Sequence, residues 1–104
     1  MVKRGEVWWY EPPYAKPRPH LVLTRDELVP VLSDILAIPA TRTRRDIPTE
    51  VPVDGDDGMP APSVLTADNL GLVERGYLTR RITALSPLRM SEVCDAVAIA
   101  TGCS

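Results

Sequence analysis

Residues 16–24 read KPRPHLVLT and join a stiff, basic segment to an aliphatic one. The second part, residues 21–24, is aliphatic and β-branched without glycine, which predicts a β-strand. Proline fixes its own φ and pushes the residue before it into extended geometry, so Pro17 and Pro19 hold Arg18 extended at the start of this strand. A guanidinium is always charged and presents a planar fork of donors. The stretch therefore predicts a strand that begins with a rigid cation suited to a phosphate group.

The rest of the sequence predicts a series of short strands. They are expected at residues 5–10, 35–40, 49–53, 62–66 and 77–85. Between them lie loops at 11–17 and 41–46, a turn at 54–58 and a connection at 67–71, while 25–29 are interpreted as one helical turn. Pro39 cannot donate to a ladder, so we expect it near the end of its strand or at a bulge.

The C-terminal part predicts one helix. Ser86 is a good N-cap and Pro87 suits the first helical turn, while Gly102 is expected to end the helix. Its apolar stripe consists of Met90, Val93, Val97 and Ala100. Many short strands, eleven prolines and one terminal helix predict a small, strongly bent β-barrel.

Length and composition predict a single domain spanning residues 1–104. Residues 1–45 carry eight Lys and Arg against five Asp and Glu, whereas the remaining 59 residues carry four against nine. A locally basic face on an acidic body suits a phosphate ligand or a protein partner. No apolar run serves as a signal peptide or membrane span, so no membrane partner is expected. Cys94 and Cys103 point to opposite helix faces, and we interpret both as reduced thiols of a cytoplasmic protein.

Six segments, in this order along the chain, resemble the MazF/PemK toxin family. They are 3–8 (KRGEVW), 18–23 (RPHLVL), 37–41 (AIPAT), 47–51 (IPTEV), 63–70 (SVLTADNL) and 90–93 (MSEV). The resemblance implies an SH3-like small β-barrel that forms a homodimer. It also implies the toxin of a type II toxin–antitoxin system, a metal-independent, sequence-specific endoribonuclease that cuts single-stranded RNA and inhibits translation and growth. A MazE-like antitoxin, whose flexible tail lies across the RNA groove, would neutralise it.

The resemblance also assigns residues and shows departures. The family's active-site arginine falls on Arg18 and its active-site threonine on Thr41. The loop between the first two strands is shorter than usual, Gly71 stands where many members have arginine, and His20 occupies a position usually held by a small apolar residue. These departures affect the expected sequence specificity more than the expected reaction. A shorter loop is expected to admit folded RNA such as a tRNA stem-loop, so the substrate could be mRNA, rRNA or tRNA.

The catalytic candidates follow from the chemistry of metal-independent RNA cleavage. The 2′-hydroxyl attacks the adjacent phosphate, so the site needs a base, an acid and donors for the charge on the phosphorane. Arg18 is the candidate for phosphate stabilisation, and a surface salt bridge to Glu11 or Asp26 is the alternative. Thr41 is the candidate hydroxyl donor, with a turn cap as the alternative. Thr43 is the alternative hydroxyl donor, because the side chains of Thr41 and Thr43 lie on the same face of the strand if the chain is still extended at these positions.

His20, the single histidine, is a further acid–base candidate. Its ordinary pKa lies near neutrality, and strand alternation puts it on the same face as Arg18. The family does not need a histidine here, and the alternative is a half-buried strand residue.

Several other residues are predicted to contact RNA. The basic run 42–45 is predicted to contact backbone phosphates, with a solvated loop as the alternative. At least one aromatic residue of 8–10 must face outward, where it could stack on a base or seat an antitoxin side chain, and dimer packing explains it equally well. The predicted RNA contacts are Lys16, Arg42, Thr43, Arg44, Arg45, Tyr14, Trp8 and Asn69.

A second function remains open on the same fold. CcdB toxins resemble the same barrel but act without catalysis, by trapping a topoisomerase subunit through their terminal helix. Here that helix ends in residues 98–104, AIATGCS, which lack the Trp-Gly-Ile ending used for such binding. The sequence has no Cys/His cluster, and residues 54–58 (DGDDG) lack the spacing of an EF-hand, so no metal and no cofactor are predicted.

Overall fold

Seven short strands and one helix follow one another along residues 1–103, the part of the chain that the computed structural model describes. The strands are β1 (Glu6–Tyr10), β2 (Arg18–Val22), β3 (Asp34–Thr41), β4 (Glu50–Val53), β5 (Ser63–Thr66), β6 (Gly71–Glu74) and β7 (Leu78–Ala84). The helix α1 spans Pro87–Thr101, and single 3-10 turns cover Gly55–Asp57, Ala67–Asn69 and Arg75–Tyr77. This content confirms the prediction of a mostly β protein with a C-terminal helix.

The strands form one antiparallel sheet in the order β4-β5-β3-β2-β1-β7, and β6 also pairs with β3. Strand β3 is its centre: it pairs with β6 through residues 34–37, with β2 through 37–39 and with β5 through 40–41. Pro39 lies where the pairing passes from β6 to β5, two residues before the strand ends, as expected for a residue without an N–H. Within residues 1–103, β4 and β7 share no ladder, so the bent sheet is not closed.

The sheet buries apolar side chains on both faces. On one face Val7, Leu21 and Ile38 join residues of β4 and β5 in the main core, and α1 covers it with Val93 and Ala96. The predicted stripe of α1 is confirmed, since Met90, Val97 and Ala100 also pack there. No helix of residues 1–103 is long and apolar enough to cross a membrane.

The other face carries a second, smaller core. It contains Tyr10, Val22, Ile35, Ala37, Val73, Leu78 and Val29. Val29 comes from residues 25–33, which fold over one end of this face and leave Val29 only 2% exposed. Where the sequence predicts one helical turn at 25–29, the structure has hydrogen-bonded turns that do not continue into a helix. The Leu28 N–H donates to the Arg25 carbonyl, and the N–H groups of Val31 and Leu32 both donate to the Leu28 carbonyl (3.0 Å each).

Strand β6 (Gly71–Glu74) is not predicted by the sequence pattern, which indicates a connection at 67–71. The four residues Gly71–Glu74 are too few to show alternation, and glycine is a poor strand former. They are extended because β3 offers a pairing edge, where Leu72 lies opposite Leu36 and Val73 opposite Ile35. Pairing with β3 is therefore what makes residues 71–74 a strand.

Candidate active site

The registers of β1, β2 and β3 place the catalytic candidates on one face of the sheet. Tyr10 lies opposite Arg18, and His20 lies opposite Pro39. The β2–β3 ladder ends at His20 and Pro39, and extending its register by two residues along both strands would bring Thr41 opposite Arg18. Directly opposite residues of an antiparallel pair point to the same face. The start of β2 and the end of β3 thus present Arg18 and Thr41 on the face of the second core, beyond the part that residues 25–33 cover.

Arg18 is exposed and has no partner of opposite charge among residues 1–103. The carboxylates that the sequence offered to it are used elsewhere. Glu11 Oε1 accepts from Arg80 Nη2 at 2.8 Å, and Asp26 Oδ1 accepts from the backbone N–H of Arg4 at 2.7 Å. The salt-bridge alternative therefore does not apply, and the guanidinium is available to a ligand.

The structure separates the two candidate threonines. Thr41 is the last residue of β3 and is half-buried, whereas Thr43 is exposed and follows a bend at Arg42. The chain is no longer extended at Thr43, so the two side chains do not repeat along one strand face. The backbone N–H of Thr43 donates to Thr41 Oγ1 at 3.4 Å. Thr41 is thus the hydroxyl that shares the strand-end position with Arg18.

His20 is half-buried beside these residues. Its ring meets Tyr10 edge-to-face, with 4.9 Å between centroids. Nδ1 lies 3.1 Å from the carbonyl oxygen of Arg18, and since a carbonyl only accepts, Nδ1 carries the proton and leaves Nε2 as the acceptor. Burial lowers the pKa of His20, the charge of Arg18 lowers it further, and the carbonyl contact opposes both. A neutral imidazole with a free acceptor nitrogen has the form that a general base requires.

The basic residues after β3 border the outer side of β4 and β5. Arg42 and Arg44 line a cavity of about 150 Å³. Its other lining residues are Pro52, Val53, Asp54, Pro62, Ser63 and Val64. Arg44 pairs with Asp46, while Arg42 and Arg45 form no ion pair among residues 1–103. The loop therefore offers free guanidinium groups beside a shallow cavity.

A buried carboxylate, which no sequence pattern indicates, fixes this loop. Glu50 is 9% exposed, and its Oε1 accepts from the backbone N–H groups of Arg45 at 2.8 Å and Asp46 at 3.1 Å. Asp46 has a φ of 56°, a left-handed conformation that non-glycine residues rarely adopt. The two bonds hold that turn and so aim the basic residues before it.

The remaining predicted contacts have different surroundings. Lys16 and Asn69 are exposed, the latter at the end of a 3-10 turn. Trp8 packs against the second core, and its indole N–H donates to Glu6 Oε1 at 3.1 Å. It also lines a cavity of about 420 Å³ with Met1 and neighbouring residues, away from the start of β2. Trp8 thus packs within the chain, and both its contact with RNA and the alternative of dimer packing stay predictions.

Tyr14 belongs to a cluster that the sequence did not reveal. Its hydroxyl donates to Glu74 Oε1 at 2.6 Å and lies 2.8 Å from the hydroxyl of Tyr10, which also bonds to Glu74. Burial raises the pKa of Tyr10, with the Glu74 bond adding to it, and the two hydroxyl bonds lower the pKa of Glu74. Glu74 is separated from Tyr14 by 60 positions in the chain, so no local pattern could have linked them.

The structure also bears on metal binding and on the state of the two cysteines. Within residues 1–103, no group of three or more His, Cys, Asp or Glu side chains is arranged to hold a metal ion. Cys94 and Cys103 are both free and exposed.

Comparisons with known proteins identify the family of this chain. Residues 3–101 match the family described as PemK-like, MazF-like toxin of type II toxin–antitoxin system. The probable endoribonuclease MazF2 of Mycobacterium tuberculosis is 36% identical over 103 residues, which cover 98% of this chain and 100% of the relative. The probable endoribonuclease MazF5 of the same species is 37% identical, covering 97% of this chain and 94% of the relative.

A solved structure shares the whole fold. It is an endoribonuclease in complex with its cognate antitoxin from a mycobacterial species, with a TM-score of 0.89 and 26% identity, covering 100% of this chain and 98% of that one. These findings do not favour the CcdB-like alternative. Because the family matches over residues 3–101 and the mycobacterial relatives align over nearly the full length, this chain belongs to the PemK/MazF family of type II toxin–antitoxin toxins.

Proposed function

We propose that this toxin is a metal-independent, sequence-specific endoribonuclease acting on single-stranded RNA or the loop of a tRNA. The observation that carries the proposal is the exposed guanidinium of Arg18 at the start of β2, which forms no ion pair among residues 1–103. An exposed arginine without a carboxylate partner is ready to bind a phosphate with its planar fork. The relatives named endoribonuclease support the same reaction.

The proposed reaction is a transesterification. The 2′-oxygen forms a bond to the adjacent phosphorus while the bond to the 5′-oxygen breaks, which leaves a 2′,3′-cyclic phosphate and a 5′-hydroxyl. Arg18 stabilises the additional negative charge of the phosphorane, and Thr41 donates its hydroxyl to a phosphoryl oxygen. The neutral Nε2 of His20 is the candidate acceptor for the 2′-hydroxyl proton, and the leaving oxygen takes up a proton.

The RNA is proposed to run from the loop 11–17 across the start of β2 toward the basic residues after β3. Lys16 lies at one end of this path and Arg42 and Arg45 at the other, where they contact phosphates. Thr43, Arg44, Tyr14, Trp8 and Asn69 complete the proposed set of contacts. In cells, this reaction would take place in the cytoplasm and stop translation, and a MazE-like antitoxin with a flexible tail would cover the same path.

We also propose that residues 1–104 act as one domain and pair with a second copy through an apolar groove. The groove has a volume of about 460 Å³ and is lined by five leucines and two charged residues: Leu23, Leu28, Leu32, Leu36, Leu72, Arg25 and Asp34. Leu72 is 67% exposed on β6, which pairs only with β3 among residues 1–103. A surface that carries one cation and one anion beside an apolar centre is self-complementary across a two-fold axis.

The dimer proposal is tested by the molar mass in solution. Leu72→Asp should convert the dimer to a monomer in size-exclusion chromatography with light scattering. Leu88, which is 75% exposed on α1, provides the control, and Leu88→Asp should leave the mass unchanged. A native chain of monomer mass at all concentrations would contradict the proposal.

The nuclease proposal is tested with purified protein, labelled RNA and EDTA. Cleavage that continues in EDTA and leaves 5′-hydroxyl ends supports the reaction written above. Mapping of 5′-hydroxyl ends in total RNA after brief expression would then give the cleavage sequence and the class of RNA. RNA that stays intact at high enzyme excess would count against the proposal.

A further inference from the structure

The short loop 11–17 between β1 and β2 is hydrogen-bonded at its first residue to the start of β7, the strand that pairs with β1 on the side away from β2. The backbone N–H of Glu11 donates to the carbonyl of Tyr77 at 2.8 Å. The carboxylate of Glu11 accepts from Thr79 Oγ1 at 2.9 Å and from Arg80. These bonds join the first residue of the loop to the start of β7, so the loop leaves β1 in a defined direction.

The middle of the loop is held by a second carboxylate. Tyr14 donates its hydroxyl to Glu74, the last residue of β6, at 2.6 Å, and Tyr10 bonds to both. Glu74 has no salt bridge among residues 1–103, so these two hydroxyls are its side-chain partners. Hydrogen bonds to an ionised acceptor are stronger than those between neutral groups. The carboxylate therefore ties the loop to the edge of the sheet.

This cluster is directly connected to the catalytic candidates. Tyr10 lies opposite Arg18 on the same face, and its ring packs edge-to-face with His20 at 4.9 Å. Tyr14 precedes Arg18 by four residues, and Pro17 stiffens the chain between them. A displacement of Tyr14 or Tyr10 would consequently be passed on to the backbone that carries the guanidinium.

We infer that Glu74 is a positioning residue, which through the hydroxyls of Tyr10 and Tyr14 holds Arg18 and the exposed ring of Tyr14 in place for RNA. Tyr14 is 68% exposed although its hydroxyl is fixed, so the ring presents a pre-oriented surface on which a base can stack. The loop 11–17 is then a fixed wall of the site and does not close over the RNA as a lid. The inference rests on the proposed nuclease function.

Two substitutions at Glu74 separate positioning from folding. Glu74→Ala removes both acceptor oxygens, and we expect kcat/KM to fall about tenfold, mainly through kcat, because a small misplacement of a catalytic group is costly. Glu74→Gln keeps one acceptor oxygen and should retain activity within about threefold of the native chain. Tyr14→Phe keeps the ring but loses the anchor, so its kcat should fall between those of the two Glu74 variants.

The experiment measures kcat and KM on the shortest RNA oligonucleotide that spans a mapped cleavage site. Glu92→Gln, which removes the exposed carboxylate that pairs with Arg89 on α1, is the matched control and should behave like the native chain. Amide hydrogen exchange supplies a readout without RNA: Tyr14, Ala15 and Lys16, which have an amide hydrogen among the prolines of this loop, should exchange faster in Glu74→Ala and Tyr14→Phe but not in Glu92→Gln. Circular dichroism confirms that the compared variants are folded.

The outcomes test the positioning role of Glu74 separately from the proposed nuclease function. If the native chain cleaves RNA and Glu74→Ala matches it in kcat and in loop exchange, the inference is wrong and the nuclease function stands. Equal loss of kcat in Glu74→Ala and Glu74→Gln would also contradict it, because the retained oxygen would then not matter. A native chain that cleaves no RNA would overturn the proposed function together with this inference.

Discussion

Replacement of Arg18 by alanine is the most direct test of the site. The side chain is exposed and makes no ion pair among residues 1–103, so its loss leaves no buried group without a partner. We expect the free energy of unfolding to change by less than about 0.5 kcal/mol. The backbone of β2 is unaffected, because Pro17 and Pro19 remain and the pairing with β1 uses backbone groups. Folding and dimerisation should therefore be retained.

The effect on catalysis should be far larger than the effect on stability. Removal of one donor that stabilises charge in a transition state costs about 10²–10³-fold in kcat, or roughly 2.7–4 kcal/mol. Arg18→Ala removes both the donors and the positive charge, so cleavage should fall at least this far, to the limit of detection. Arg18→Lys keeps the charge but loses the planar fork, and should lie between alanine and the native residue.

The assay is single-turnover cleavage of labelled RNA in EDTA, with urea unfolding of each variant measured in parallel. Lys3→Ala is the matched control, because it removes an exposed cation just before β1, at the opposite end of the β1–β2 ladder from Arg18. It should lower the cleavage rate less than about threefold, consistent with a loss of long-range attraction only. Full activity in folded Arg18→Ala would refute the assignment of Arg18 as a catalytic residue. Equal losses of cleavage rate in Arg18→Ala and Lys3→Ala would mean that Arg18 contributes only its charge.

Three further predictions follow from the geometry. Thr41→Ala should lower kcat about 10²-fold while Thr43→Ala stays within about threefold, measured by the same cleavage assay, and the reverse order would exchange their roles. Burial lowers the folded-state pKa of His20, so its contribution to stability is complete above the unfolded pKa of about 6.5 and is lost as the pH falls below it. Thermal unfolding should therefore show a smaller loss of stability between pH 7.5 and 5 in His20→Gln than in the native chain, and identical losses would contradict this. Gly58→Ala should reduce the free energy of unfolding by about 1–3 kcal/mol in urea, because Gly58 has a φ of 88° and an added Cβ would lie 2.8 Å from Cβ of Thr83; an unchanged midpoint would disprove the strain.

The candidate site could be predicted in part because its central residues lie within local patterns. Arg18 is flanked by prolines, and Thr41 follows an apolar strand, so each could be placed at a strand end from its neighbours alone. The rivalry between Thr41 and Thr43 could not be resolved in the same way, since it depended on where the chain bends. The positions of Glu50 and Glu74 were not predictable, because each acts on a loop through a contact that local sequence does not encode.

The sequence by itself determined the strand-rich fold class, the helix with its N-cap at Ser86, and the rigid cation at the start of β2. These features depend on residues near one another in the chain, where propensity, proline geometry and apolar periodicity act directly. Only the tertiary structure decided that β6 exists, that Arg18 has no carboxylate partner among residues 1–103, and that Glu74 anchors the loop 11–17. Each of these depends on pairing or hydrogen bonding between distant segments, and such contacts are settled only when the sheet is assembled.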